Sequence, residues 1–363
     1  MKRITSFIGS LASGGAEHQM CLLTSFLAEK GYDVTIVTID DVEDHYPLDQ
    51  RVKRVRLAPG KSYLVKMLSF MKAALCVKAD VVLTWGLSQN VFLLPPLFFR
   101  PDVRVICGER NYTAGRNSKW ERMLYAGLYI KAKYIVANSY AQTEYEKRKH
   151  PFFASRMKTI TNYTEIDKYV YKPVKHDDVI CIGVVARCEE QKNVHRFLRA
   201  LGEVKRQTAQ SFRVDWYGNR HFYTQHQQQY YEDCLQIIKE NTLEGDVEFK
   251  DATTKVHEVI PEYDVMCLPS LFEGFSNSLS EYICCGRPVL CSDVSDNHVM
   301  VHNGENGFLF NPLSEEDMIK AFMSFFNLTE EERDNMCKMS RKLAEELFNK
   351  EKFVTSYMDC IEK

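Results

Sequence analysis

What most constrains this chain is an alternation of short strand-like runs with helix-period stretches, gone through twice in succession. Arg3 to Gly9 reads as a strand, Leu11 to Gly15 as a Gly-rich turn, and Ala16 to Lys30 as a helix whose Met20, Leu23, Phe26 and Leu27 recur at helical spacing. Gly31 stops that helix, and Val34 to Ile39 is the next strand. Strands follow at Val52 to Leu57, Val81 to Trp85, Val103 to Cys107 and Tyr134 to Ala137, with helices at about 62–77, 119–130 and 140–149. A second cycle starts after Lys172-Pro173. Its strands are Val179 to Val185, Arg213 to Tyr217, Asp246 to Phe249, Val265 to Leu268 and Pro288 to Cys291. Its helices are Val194 to Thr208, a long one ending at Asn241, a short one around Val256 to Ile260, Asn277 to Cys285, Glu315 to Phe325 and Glu330 to Leu347. Strands separated by helices pair in parallel and are covered on both faces. The expected fold class is therefore α/β, with two Rossmann-like domains over 1–172 and 173–347 and a cleft between their sheets. A last helix within 348–363 is expected to pack back on the first domain. Length agrees, since 363 residues suit two ordinary domains. Ligands of open α/β sheets bind at the carboxyl ends of the strands, so the cleft is the expected site.

The net charge of −2 hides a polarity. Residues 1–172 carry 26 lysines and arginines against 16 acids, and the remainder 21 against 33. A basic first half suits an anionic partner, although drifting surface charge is the plainer reading. Nucleic acid fits poorly, for there is no run of five basic residues and no familiar binding module. Twelve scattered cysteines without a CxxC point to a reducing compartment, with neither a disulfide framework nor a structural zinc. Met1-Lys2-Arg3-Ile4 runs straight into a strand and is not a secretory signal. The longest apolar run, Val91 to Phe99, holds two prolines and is far shorter than the ~20 residues of a spanning helix. Cytoplasmic localisation is expected, with any membrane met from the side at its inner face. Ser62 to Val77 is the segment that could meet it: Leu64, Leu68, Met71 and Leu75 share one face, with Lys61, Lys66, Lys72 and Lys78 nearby. The same stripe also reads as the core face of an ordinary helix, and both readings stay open.

Three segments carry chemistry. In Leu268 to Glu281 a strand ends, a loop holds Glu273 and Gly274, and a helix starts at Ser276 or Asn277, both good N-caps. A helix start offers free N–H groups and a positive dipole end to an anion. Glu281, one turn in, would accept hydrogen bonds from a ribose diol, and Glu273 from a sugar ring. Paired glutamates also serve glycoside hydrolases, but these stand beside an anion site in an α/β fold. In Gly183 to Asn193 a buried strand is followed by Arg187 and Lys192, a planar fork and a point charge suited to a diphosphate. Gly14-Gly15-Ala16-Glu17 lies between strand and helix, where glycines let backbone approach a ligand. Neither GxGxxG nor a Walker A pattern is present, which argues against a dehydrogenase or a P-loop enzyme. No DxD-type metal site is evident, since Asp40-Asp41 and Asp177-Asp178 sit beside strand or linker segments.

Gly14-Gly15-Ala16-Glu17, Arg187 with Lys192, and Glu273-x7-Glu281 followed by Gly286-Arg287-Pro288-Val289 resemble the family-four retaining glycosyltransferases of GT-B fold. Asn138-Ser139, Thr161-Asn162 and Asn303-Gly304-Glu305-Asn306-Gly307 are similar to further landmarks of that family. The resemblance covers nearly the whole chain. It implies that Arg187 and Lys192 bind the donor diphosphate, that Glu281 holds the ribose, and that Glu273 touches the transferred sugar with backbone groups of Phe275, Ser276 and Asn277. Gly14 and Gly15 would lie near phosphate and acceptor, and Lys250 and Asp251 near the base. Arg187, Lys192 and Glu273 are the catalytic candidates. One departure stands out: where many members carry a histidine or similar polar residue in the loop after strand 103–107, this chain has Glu109-Arg110-Asn111. That loop is assigned to the acceptor and sugar side. The implied activity is transfer from a nucleotide diphosphate sugar, a UDP-sugar by family likeness, to a lipid-linked or polysaccharide acceptor in surface glycan synthesis. No metal or cofactor is expected. A sugar-nucleotide epimerase of the same fold and a catalytically idle nucleotide-sugar binder are the alternatives.

Overall fold

A computed structural model describes every residue except 13, 40–41, 58–62, 111–118, 175–177 and 219–223, together with all side chains but those at 63, 88 and 119–121 of the remainder. Asn111, Lys61, Ser62, Asp40, Asp41 and Asp177 therefore lie outside the described residues. The chain divides into two compact units, Met1–Tyr163 with Lys350–Lys363, and Thr164–Asn349. The first junction falls nine residues before the Lys172-Pro173 of the sequence reading.

Unit 1 is built from β1 (Arg3–Phe7), α1 (Gly15–Glu29), β2 (Asp33–Thr38), β3 (Lys53–Arg56), α2 (Tyr63–Cys76), β4 (Val81–Trp85), α3 (Leu87–Leu97), β5 (Arg104–Glu109), α4 (Lys119–Tyr125), β6 (Tyr134–Ala137), α5 (Tyr140–Lys149) and β7 (Met157–Thr159). Its seven strands are parallel, in the order β3-β2-β1-β4-β5-β6-β7. All five residues of β4 are buried, as expected for a central strand with helices on both faces. One core joins Phe7, Val82 and Val105 of the sheet to Phe70 and Ala74 of α2, Leu94 and Leu97 of α3, and Tyr129.

Unit 2 repeats the plan with β8 (Val179–Val185), α6 (Val194–Gln207), β9 (Ser211–Gly218), α7 (Gln225–Glu240), β10 (Val247–Asp251), α8 (Val256–Val259), β11 (Val265–Leu268), α9 (Asn277–Cys284), β12 (Val289–Ser292), α10 (Asn297–Met300), β13 (Gly307–Phe310), α11 (Glu315–Phe326) and α12 (Glu330–Leu347). The six strands run parallel as β10-β9-β8-β11-β12-β13. Winding reverses between β8 and β11, so their carboxyl ends flank a crevice of the kind that holds ligands in open sheets. The final helix, α13 (Lys350–Glu362), belongs to unit 1. Lys350 reaches Glu29 at 2.7 Å and Glu351 reaches Lys30 at 2.9 Å, while the Phe353 ring stacks on Tyr163.

Three differences from the sequence reading have physical causes. The run containing Pro95-Pro96, given no element in the sequence reading, forms most of α3, because Leu93, Leu94 and Leu97 are fully buried and that packing outweighs the poor propensity of proline in a last turn. Strand β5 continues two residues beyond Cys107, since Gly108 and Glu109 pair with Trp85 and Ala137 on either side. On α2 the apolar stripe is not the core face. Phe70 and Ala74 are buried, whereas Leu64, Leu68 and Leu75 are 58%, 53% and 46% exposed.

Candidate functional site

In unit 2 the loops after β8 and β11 are laced together at the switch point. Glu190–Lys192 form one 3-10 turn, and Asn193 follows in the left-handed region at φ 57°, a conformation that Asn tolerates better than most residues. The Asn193 amide donates to the carbonyls of Pro269 at 3.1 Å and Pro312 at 2.8 Å. The Leu271 N–H donates to the Gln191 carbonyl at 2.8 Å, and the Gln191 amide to the Phe272 carbonyl at 3.0 Å. These bonds hold Lys192 against the second loop. Its ammonium donates to Glu273 Oε1 at 2.6 Å, and the Ser270 hydroxyl donates to the same oxygen at 2.6 Å. The two charged side chains are only 13% and 10% exposed, so each is oriented by the other in a region of reduced water.

Helix α9 starts beside this pair. Ser276 is its N-cap and accepts from the Leu279 N–H at 3.4 Å, a long bond, and Phe275 before it is buried. Ser278 donates to the Val185 carbonyl at 2.9 Å and Tyr282 accepts from the Val185 N–H at 2.7 Å, which fastens α9 to the end of β8. Asn277 is the first helical residue. One turn on, burial pushes the Glu281 carboxyl up to about 7, while the Tyr169 hydroxyl that hydrogen-bonds to it pulls the other way. The Tyr169 phenol is itself raised, by burial first and then by Glu281. Arg341 anchors the Tyr169 carbonyl at 2.8 Å. Arg187, by contrast, stands out from the surface with its side chain 69% exposed, paired to Glu189 at 2.9 Å. Lys250 is committed to the buried Asp215 at 2.7 Å, which also accepts from the Tyr263 hydroxyl at 2.6 Å. Asp251 is exposed at the end of β10.

In unit 1, Gly14 is the N-cap of α1 in extended conformation and Gly15 its first residue, with Glu17 in the first turn. The expectation of a Glu109-Arg110-Asn111 loop facing the sugar is corrected for its first member. Glu109 ends strand β5, only 2% exposed, and its carboxylate accepts from the hydroxyls of Tyr129 at 2.6 Å and Tyr125 at 3.2 Å. Arg110 is enclosed in the same unit. Its guanidinium lies 3.8 Å over the Trp85 ring and donates to Asn162 at 3.2 Å and to the Tyr357 hydroxyl. Burial lowers its pKa from the usual arginine range.

The geometry thus gathers Lys192, Glu273, Ser276, Asn277 and Glu281 on adjacent loops and one helix of unit 2, with Arg187 at the rim. Sequence reasoning had missed Ser270, Asn193 and Tyr169, which orient Glu273, Lys192 and Glu281. Asn after Lys192 in a tight connection was the one local signal available.

Residues 165–343 match the glycosyl transferases group 1 family, and residues 13–168 match glycosyltransferase family 4. The chain belongs to the group 1 glycosyltransferases. It is 25% identical over 291 residues to the amylovoran biosynthesis glycosyltransferase AmsD of Erwinia amylovora, covering 77% of this chain and 78% of that one. It is 22% identical over 312 residues to the N-acetylgalactosamine-N,N'-diacetylbacillosaminyl-diphospho-undecaprenol 4-alpha-N-acetylgalactosaminyltransferase of Campylobacter jejuni, covering 81% of each. Among solved structures it superposes on Anabaena Alr3699/HepE in complex with UDP and glucose with a TM-score of 0.83, at 18% identity and 99% coverage of both chains. The fold of this group 1 glycosyltransferase is accordingly GT-B, and its role is in glycan biosynthesis.

Proposed function

We propose that this glycosyltransferase moves a hexose from a UDP-sugar to a lipid-linked or polysaccharide acceptor, with retention of anomeric configuration and without a metal cofactor. The observation that carries the donor assignment is the Lys192–Glu273–Ser270 cluster at the β8–β11 switch point, set beside the start of α9. As the C1–O bond breaks, negative charge grows on the departing diphosphate. Lys192, Arg187 and the first N–H groups of α9 meet that charge, and Glu273 holds Lys192 in place and addresses the sugar hydroxyls. Glu281 takes the ribose and Lys250 with Asp251 the base side. In this reading the protein's own cations, Lys192 and Arg187, take the charge that a metal would otherwise carry. Uracil is chosen because the Anabaena structure contains UDP, and a lipid-linked acceptor because the Campylobacter relative is named for one. Unit 1, with Gly14, Gly15 and Arg110, is assigned to the acceptor side. Such an acceptor would bring the protein to the inner face of a membrane, although among the described residues no helix is long and apolar enough to cross one.

The test is the thermal shift of the purified protein with UDP, GDP and ADP, alongside Glu281→Ala. UDP at a hundred times its Kd adds about 2.7 kcal/mol and raises Tm, and the variant loses the rise. A rise with GDP or ADP alone reassigns the base, and none with any nucleotide removes the donor site from unit 2. Consumption of UDP-sugar without acceptor and without UDP release would mark an epimerase instead.

A further inference from the structure

Helix α2 carries two apolar faces. Phe70 and Ala74 enter the unit 1 core, while Leu64, Val65, Leu68 and Leu75 are all close to half exposed or more. At 100° per residue, Leu64, Leu68 and Leu75 fall within about 40° of one another, a continuous outward stripe. A helix on a globular surface normally turns charge outward there. The stripe does not stand alone. Helix α3 packs on α2, and Arg100 just beyond it donates to the carbonyls of Leu75 at 2.9 Å and Val77 at 2.7 Å. That clamp sets Phe98 and Phe99, 45% and 80% exposed, beside the end of α2. Two neighbouring exposed phenylalanines and three exposed leucines make a patch of a kind that marks an interaction surface.

Charge selects the partner. From Arg51 to Arg100 the chain has nine lysines and arginines and a single acid, Asp80, which is bound to Arg3. Lys72 and Lys78 flank the stripe itself, and both are exposed. A protein partner for such a patch would carry its own matching acids at fixed places. A sheet of anionic headgroups over hydrocarbon matches a basic fringe around an apolar stripe without any such register.

We infer that α2 and the Phe98-Phe99 tip of α3 form a docking surface for an anionic lipid bilayer, the leucines and phenylalanines entering the acyl boundary and the lysines meeting the headgroups. The inference gives the membrane contact of the proposed function a definite surface. It is read without donor or acceptor, so its failure and that of the transfer reading are separable. The experiment is co-sedimentation of the full chain with vesicles of phosphatidylcholine alone and of phosphatidylcholine with about a third phosphatidylglycerol, at low and high salt. Wild type sediments with the anionic vesicles and salt weakens it. Phe98→Ser with Phe99→Ser weakens binding about tenfold or more. Lys72→Glu and Lys78→Glu each weaken it about fivefold or more at low salt. These side chains are exposed, so far-UV circular dichroism and Tm stay at wild-type values. Sedimentation equal on neutral vesicles, none on anionic ones, or variants that bind like wild type overturn the proposal. So does a lipid-free dimer that the phenylalanine variants abolish, which would assign the surface to a second copy.

Discussion

Lys192 and Glu273 form a nearly buried ion pair in the candidate site, and that couples their roles in stability and turnover. Removing the lysine strands a nearly buried carboxylate, with Ser270 its remaining side-chain partner among the described residues. Lys192→Ala is expected to cost kcat/KM about 10²- to 10³-fold. It also destabilises the fold by on the order of 3 kcal/mol, because the remaining charge is unpaired. The double variant Lys192→Met with Glu273→Gln recovers most of the Tm and none of the activity, a split that a purely structural pair would not show. Glu281 yields a prediction of a different sign. Its folded carboxyl titrates near 7, above the usual carboxylate range. Neutral Glu281 is therefore the form the fold favours, and its contribution to stability is complete in acid and lost as pH rises through 7. Glu281→Gln, which stays neutral, flattens that decline in a Tm series from pH 5 to pH 8. UDP affinity moves oppositely, since the ionised carboxylate is the better acceptor for a ribose diol. Calorimetry at pH 6 and 8 should find it rising about tenfold relative to the Gln variant. An affinity ratio flat with pH would take Glu281 off the ribose.

At the scale of elements, a turn positions the chemistry more than any helix does. The 3-10 turn Glu190–Lys192 ends on Asn193, whose left-handed backbone and two carbonyl contacts lock it to the loop after β11. Asn193→Ala loses both the contacts and the backbone tolerance, and Asn193→Gly loses only the contacts. Both lower kcat/KM by letting Lys192 drift, and in thermal melts the Ala variant is the less stable. Equal stability of the two would mean that the backbone conformation carries none of the cost. The landmark Asn303 to Gly307 also has a structural meaning. Asn306 caps the His302 N–H at 2.7 Å, and a side chain at Gly307 would meet the Val289 carbonyl at 2.0 Å. In Gly286-Arg287, the fully buried guanidinium ties α9's exit to the Tyr263 and Lys172 carbonyls. These motifs build the crevice rather than fill it.

The molecule as a whole is one plan used twice, each sheet reversing its winding beside its first strand. The two halves differ in charge, the basic one carrying the apolar stripe of α2 and the acidic one the Lys192 cluster. On the proposal that the protein's own cations meet the growing phosphate charge, transfer by enzyme dialysed against EDTA should proceed at the untreated rate. A loss restored by added Mg²⁺ or Mn²⁺ would assign a metal to the leaving group.

The order of strands and helices was legible in the sequence because parallel pairing needs it: β4, β11 and β12 are buried at every residue and read as continuous apolar runs. The candidate site residues of unit 2 could be named for a related reason, since loops at strand ends keep their chemistry in local order. What tertiary structure alone decided was which apolar surfaces are spent inside. Periodicity shows that α2 has a stripe, but only packing against α3 and the sheet shows that Phe70 and Ala74 go in and Leu64, Leu68 and Leu75 stay out. Partners of the charged groups likewise come from distant sequence, Lys192 for Glu273, Tyr169 for Glu281, and Tyr129 for Glu109. Burial and the field of distant neighbours set what those groups do, and neither is written in local sequence.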